Sequence, residues 1–159
     1  MKNWNCKIEL INNIGFKNIN KYIPCFHELT TGVWVSQDKD DQFSFLLHIK
    51  EIKDLPNLKG DPVAFLVHKD YFVIASSDDI NGLKIAFEFV NDCMNDERSV
   101  SPQAFVLKQN KWEVFCPQSH ELYKELRKIL VLQKQREYDV LQGLIEEKLT
   151  ILGEKESIP

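Results

Sequence analysis

The chain has 159 residues, 43% hydrophobic, 28% charged and 11% aromatic, with only 6 Gly and 6 Pro, which excludes a collagenous, low-complexity or disordered polypeptide. One domain of this length buries roughly 68–70% of its unfolded surface, enough for a self-sufficient core. With 20 Lys and Arg against 24 Asp and Glu the net charge is −4, so little is gained by neutralising phosphates, and nucleic-acid or anionic-membrane partners are not expected.

Residues 1–20 are polar and Asn-rich, and Trp4, Ile8, Leu10, Ile11 and Ile14 allow a short helix. The opening Met1-Lys2-Asn3-Trp4-Asn5-Cys6 lacks the apolar core of a signal peptide, and no apolar run nears the roughly 20 residues of a membrane span, so a cytoplasmic protein is expected. Tyr22–Phe26 and Gly32–Ser36 read as strands around Thr30-Thr31, because aromatic and β-branched residues suit a pleated, half-buried surface. Asp38-Lys39-Asp40-Asp41 interrupts the pattern. Phe45, Ile49 and Ile52 then recur at helical spacing, predicting a helix over 42–54 capped by Asp40 or Asp41 and stopped by Pro56.

After the Gly60-Asp61-Pro62 turn, Val63–Val67 and Tyr71–Ala75 are near-continuous apolar runs around His68-Lys69-Asp70. Apolar residues on both faces predict a central hairpin covered on each side. Ser76-Ser77-Asp78-Asp79 offers N-caps for a helix whose stripe is Leu83, Ala86, Phe87, Val90 and Met94, widened by Ile85, Phe89 and Cys93. Ala104–Leu107 and Trp112–Phe115 form a second hairpin around Gln109-Asn110-Lys111. From Glu121 to Leu149 no Pro occurs, and Leu122, Leu126, Ile129, Leu130, Tyr138, Leu141, Ile145 and Leu149 recur at near-helical spacing. That predicts one long helix, or two with a bend near 134–137. The expected architecture is a single α+β domain over 1–153: a mainly antiparallel sheet of hairpins, packed helices, a long C-terminal helix and a frayed tail at 154–159.

The order Gly60-Asp61-Pro62-Val63-Ala64, then Lys69-Asp70, then Ala75-Ser76-Ser77-Asp78-Asp79-Ile80-Asn81-Gly82-Leu83 resembles the YtpQ-like family of bacterial proteins of unknown function. The likeness continues through Ser101-Pro102, Trp112, His120, Leu122-Tyr123, Tyr138 and Leu141-Gln142, spanning residues 59–145. Lys69 stands where the family tends to have Arg, and Ala75-Ser76 where it tends to have Thr-Gly. The resemblance implies a bacterial origin and supports the architecture; it carries no mechanism.

Chemistry concentrates at one junction. Asp78-Asp79, with Ser77, Asp61 and Asp70 near the same hairpin, could bind a small ligand or a divalent cation, or supply a general base. The competing reading is a helix N-cap, worth about 1 kcal/mol, and the lack of a further Asp at EF-hand spacing favours it. A hydrolase built on Ser77, His68 and Asp79 lacks the Gly-x-Ser-x-Gly elbow that would expose the serine. His27, His48, His68 and His120 are scattered without metal-ligand spacing, and the glycines form no phosphate loop, so neither metal nor cofactor is expected. Cys6, Cys25, Cys93 and Cys116 are too far apart for a zinc knuckle and read as buried free thiols.

The last helix is basic in its first half (Lys124, Arg127, Lys128, Lys134, Arg136) and acidic in its second (Glu137, Asp139, Glu146, Glu147). Such a helix can pair antiparallel with a copy of itself. Alternatively its charges are a solvated outer face above an apolar stripe that lies on the sheet. The sequence therefore points to a domain acting by protein–protein contact, with a homodimer through this helix as one form. An enzyme or small-ligand binder using the 76–79 junction is the alternative.

Overall fold

The apolar runs flanking residues 68–70 are the centre of the molecule. In the computed structural model, which describes residues 17–18, 25–37, 46–94, 96 and 98–156, they become β3 (Pro62–Phe65) and β4 (Tyr71–Ser76). These two strands pair antiparallel, with Val63 opposite Ala75 and Phe65 opposite Val73. Around them lie β1 (Phe26–Thr30), β2 (Val33–Gln37), β5 (Ala104–Lys108) and β6 (Lys111–Val114), in the six-stranded order β1-β2-β4-β3-β5-β6. Every strand pairing is antiparallel. Helices α1 (Ile49–Lys53), α2 (Ile80–Cys93) and α3 (His120–Glu156) complete an α+β fold.

Both faces of the central hairpin are covered, as its composition predicts. Val63, Phe65, Val73 and Ala75 point into a core closed by Leu83, Ala86, Phe87 and Val90 of α2 and by Leu122, Leu126 and Ile129 of α3. Ala64, Phe72 and Ile74 point the other way, onto Ile52 of α1 and the segment around it. Two tryptophans hold that second layer: the Trp34 indole donates to the Pro56 carbonyl at 3.1 Å and the Trp112 indole to the Leu46 carbonyl at 2.9 Å. Each ring thus buries apolar surface while its N–H satisfies a loop carbonyl.

Several expectations are corrected. The strand expected over Tyr22–Phe26 is β1, which runs on from Phe26 to Thr30 along a mostly exposed edge; Cys25 lies before it, and Tyr22, Ile23 and Pro24 lie outside the described residues. Edge strands tolerate polar residues such as His27 and Glu28, which masks them in a hydrophobicity pattern. Among the described residues the expected 42–54 helix is α1, Ile49–Lys53, with His48 at its N-cap in a non-helical conformation. The Leu46 carbonyl is committed to Trp112 rather than to a helical ladder, and Asp40, Asp41 and residues 42–45 lie outside the described residues; of residues 1–20, where a short helix is expected, only Lys17 and Asn18 are described, and they are helical. In the second hairpin the turn is Gln109-Asn110 alone, both with positive φ, the geometry that matches the strands' right-handed twist. Ile85 is exposed rather than part of the buried stripe of α2.

The long helix is continuous, 37 residues from His120 to Glu156, and so extends into the expected tail. Its two halves differ. In the first Leu122, Leu126 and Ile129 are buried, whereas Val131, Tyr138, Val140, Leu141, Leu144, Ile145, Leu149 and Leu152 are all at least half exposed. The apolar stripe therefore joins the core, beside α2, only in the first half. Among the described residues the last polar ties to the body are Gln133 donating to the Val100 carbonyl and Arg136 donating to the Met94 carbonyl. Among the described residues no helix is long and apolar enough to cross a membrane.

Candidate functional site

Antiparallel pairing of Pro62 with Ser76 brings the loop entering β3 alongside the loop leaving β4. The two are tied together by backbone bonds: Ser77 N–H donates to the Asp61 carbonyl at 2.9 Å and Asp78 N–H to the Lys59 carbonyl at 3.2 Å. The Ser77 hydroxyl accepts from Asp61 N–H at 2.9 Å and donates to Asp78 Oδ1 at 3.0 Å. Gly60 turns there with φ +85°, and a Cβ on it would lie 2.6 Å from both Asp78 and Ser77.

Asp61, Ser77 and Asp78 thus meet on one wall of an open cleft of about 410 Å³. Lys108, Phe115, Cys116 and Ser119 also line it, and Ile80, Leu83 and Leu122 supply apolar surface. The volume is that of a small-ligand pocket. No local pattern points to Lys108 or Cys116 here, since they arrive from β5 and from the loop after β6. Cys25 and Cys116 are exposed and Cys93 is buried, all as free thiols, which corrects the expectation of uniformly buried cysteines.

The other two candidates are elsewhere. Asp79 is the N-cap of α2, its Oδ1 accepting the Gly82 N–H at 3.1 Å. Asparagine caps about as well, so Asp79→Asn should leave the urea midpoint nearly unchanged, while Asp79→Ala should cost about 1 kcal/mol. A large loss in Asp79→Asn would show that the carboxylate charge does more than cap.

Asp70 sits at the opposite end of the hairpin, ion-paired with Arg98. Beside it His68 is 4% exposed, stacked on Tyr71 with ring centroids 4.2 Å apart. His68 Nδ1 accepts the Asp70 N–H at 3.0 Å, and its Nε2 lies 3.4 Å from Asp96 Oδ1. The Tyr71 hydroxyl lies 3.3 Å from Cys93 Sγ, and burial pushes both groups' pKa values up. Since β4 separates His68 from Ser77, and an extended strand rises about 3.3 Å per residue, the two cannot form a nucleophile–base pair. The His68 cluster instead fastens the β3–β4 turn to the loop after α2.

That fastening depends on pH. The backbone N–H of Arg98 and then His68 hold the Asp96 carboxyl below its ordinary 3.8. A depressed folded value means stabilisation that is complete above 3.8 and lost as pH falls through the lower value. The melting temperature of the wild type should therefore fall more steeply than that of Asp96→Asn as acid is added below that point. Parallel curves would contradict the assignment.

Sheet, cleft and helix define a class: an antiparallel α+β domain that carries a helix projecting well past its own core. No family model, no curated protein and no solved structure matches the chain. Among the described residues, no group of three or more His, Cys, Asp or Glu side chains is placed to hold a metal ion.

Proposed function

We propose that the protein is an interaction domain whose docking element is the projecting half of α3. The observation that carries this reading is the exposure of Tyr138, Leu141, Ile145, Leu149 and Leu152, each 54–70% exposed, on a helix whose last hydrogen bond to the body, among the described residues, is that of Arg136. Contiguous apolar surface of this kind on a solvated element marks a protein-binding face. A helix lying alone in water is also marginal beyond its packed turns, so a partner would stabilise it. With the resemblance of residues 59–145 to the YtpQ-like family, the reading is of a bacterial, cytoplasmic protein acting by contact rather than by catalysis.

Photo-crosslinking from single positions in living cells tests it. A photoreactive side chain at 141, 145 or 149 should give protein adducts, while one at 139 or 143, on the polar side, should not. Adducts from neither face, or equally from both, would refute the docking role.

A second reading has its own support in the cleft shared by Asp61, Ser77 and Asp78. It takes a small polar ligand there. Its test is whether an added ligand, beginning with magnesium and calcium ions, raises the melting temperature of the wild type but not of a variant carrying Asp61→Asn and Asp78→Asn.

A further inference from the structure

Resting on the second reading, of the cleft as a small-ligand site, we infer that its ligand is a zwitterion: an amino acid with an apolar side chain. Strand register builds the site. Ala75, Val63 and Val106 lie side by side on β4, β3 and β5 and belong to the core that α2 and α3 close. Side chains alternate along a strand, so the next row on that face, two residues on, is Ser77, Asp61 and Lys108. The bond from Ser77 N–H to the Asp61 carbonyl continues the register, and all three residues line the cleft. A hydroxyl, a carboxylate and an ammonium are thus rooted in one row, on strands about 4.8 Å apart.

Opposite charges on neighbouring strands attract. Yet among the described residues neither Asp61 nor Lys108 makes an ion pair, with each other or with any other side chain. A lone cation or a lone anion would satisfy one of the two. A ligand carrying both charges satisfies the pair, its ammonium on Asp61 and its carboxylate on Lys108. The positive pole at the start of α3 supports the second contact, since Ser119 lines the same cleft. The walls select the rest of the molecule. Ile80 and Val114 also line the cleft and are 52% and 65% exposed, so an apolar side chain laid against them covers surface that the fold leaves in water. A volume of about 410 Å³ holds one such molecule.

Amide chemical-shift titration of the full chain tests this. The probes are leucine and phenylalanine, with two leucine analogues that each lack one charge: leucinamide, without the carboxylate, and N-acetyl-leucine, without the ammonium. The amino acids should shift amides around 61, 77–80, 108 and 115–122 and leave those of 138–152 in place. Each analogue should bind roughly 10-fold or more weakly than leucine. Lys108→Met should weaken leucine to the level of leucinamide and leave leucinamide unchanged; Asp61→Asn should stand in the same relation to N-acetyl-leucine. Among the described residues neither side chain holds a hydrogen bond of the fold, so both variants should stay folded. An analogue that binds as tightly as leucine overturns the zwitterion while keeping a singly charged ligand in the cleft. Equal weakening of leucine and leucinamide by Lys108→Met overturns the role of Lys108. No shift at the cleft from any probe overturns the inference outright, and the magnesium and calcium test then decides the second reading by itself.

Discussion

Phe65→Ala is expected to destabilise the domain by about 3–5 kcal/mol, a large part of the roughly 5–15 kcal/mol that holds a domain of this kind folded. Phe65 is fully buried on β3, and its ring meets that of Phe87 on α2 edge-to-face at 5.6 Å. Truncation removes the transfer energy of the ring, the aromatic contact and the packing of the sheet against the helix, and leaves a cavity that strands on both sides prevent from collapsing. Leu141→Ala is the matching control. Leu141 is 54% exposed, so in dilute solution its loss should shift the unfolding free energy by less than about 0.5 kcal/mol. Urea denaturation at low protein concentration measures both. Similar losses at the two positions would mean that the second half of α3 belongs to the core.

The second large effect is at Gly60. Its φ of +85° costs a residue with a side chain about 1–2 kcal/mol, and the new Cβ would also stand 2.6 Å from Ser77 and Asp78. Those side chains must move, and the Ser77 hydroxyl then loses the Asp61 N–H that it accepts. Gly60→Ala should therefore lower stability by about 2 kcal/mol and change amide chemical shifts around 59–61 and 77–79 more than in the rest of the sheet. An unperturbed Gly60→Ala protein would contradict the described junction of the two loops.

How far the sequence can be read depends on whether the deciding contact is local. The β3–β4 hairpin was legible because apolar residues on both faces leave it only a central position, and α2 because Asp79 and the stripe from Leu83 to Met94 supply a start and a buried face. The edge strand β1 was misplaced because His27, Glu28 and Thr30 need no burial there. The start of α1 depends on Trp112, 66 positions from Leu46, and no local pattern reports such a contact.

The candidate residues show the same division. Asp61 and Asp70 flank one hairpin in sequence, yet antiparallel pairing sends them to opposite ends, Asp61 to the cleft and Asp70 to Arg98. The helical period of α3 was visible throughout. What the period could not tell is that the stripe outruns the core, because that depends on where the body of the domain ends.

The account turns on whether that stripe is covered in the cell. Maleimide labelling of a cysteine placed at 145, compared between intact cells and the purified chain in dilute solution, measures this directly. Protection in cells with ready labelling of the dilute chain, and no such difference for a cysteine at 143, is the predicted result. Equal labelling at 145 in both would contradict it.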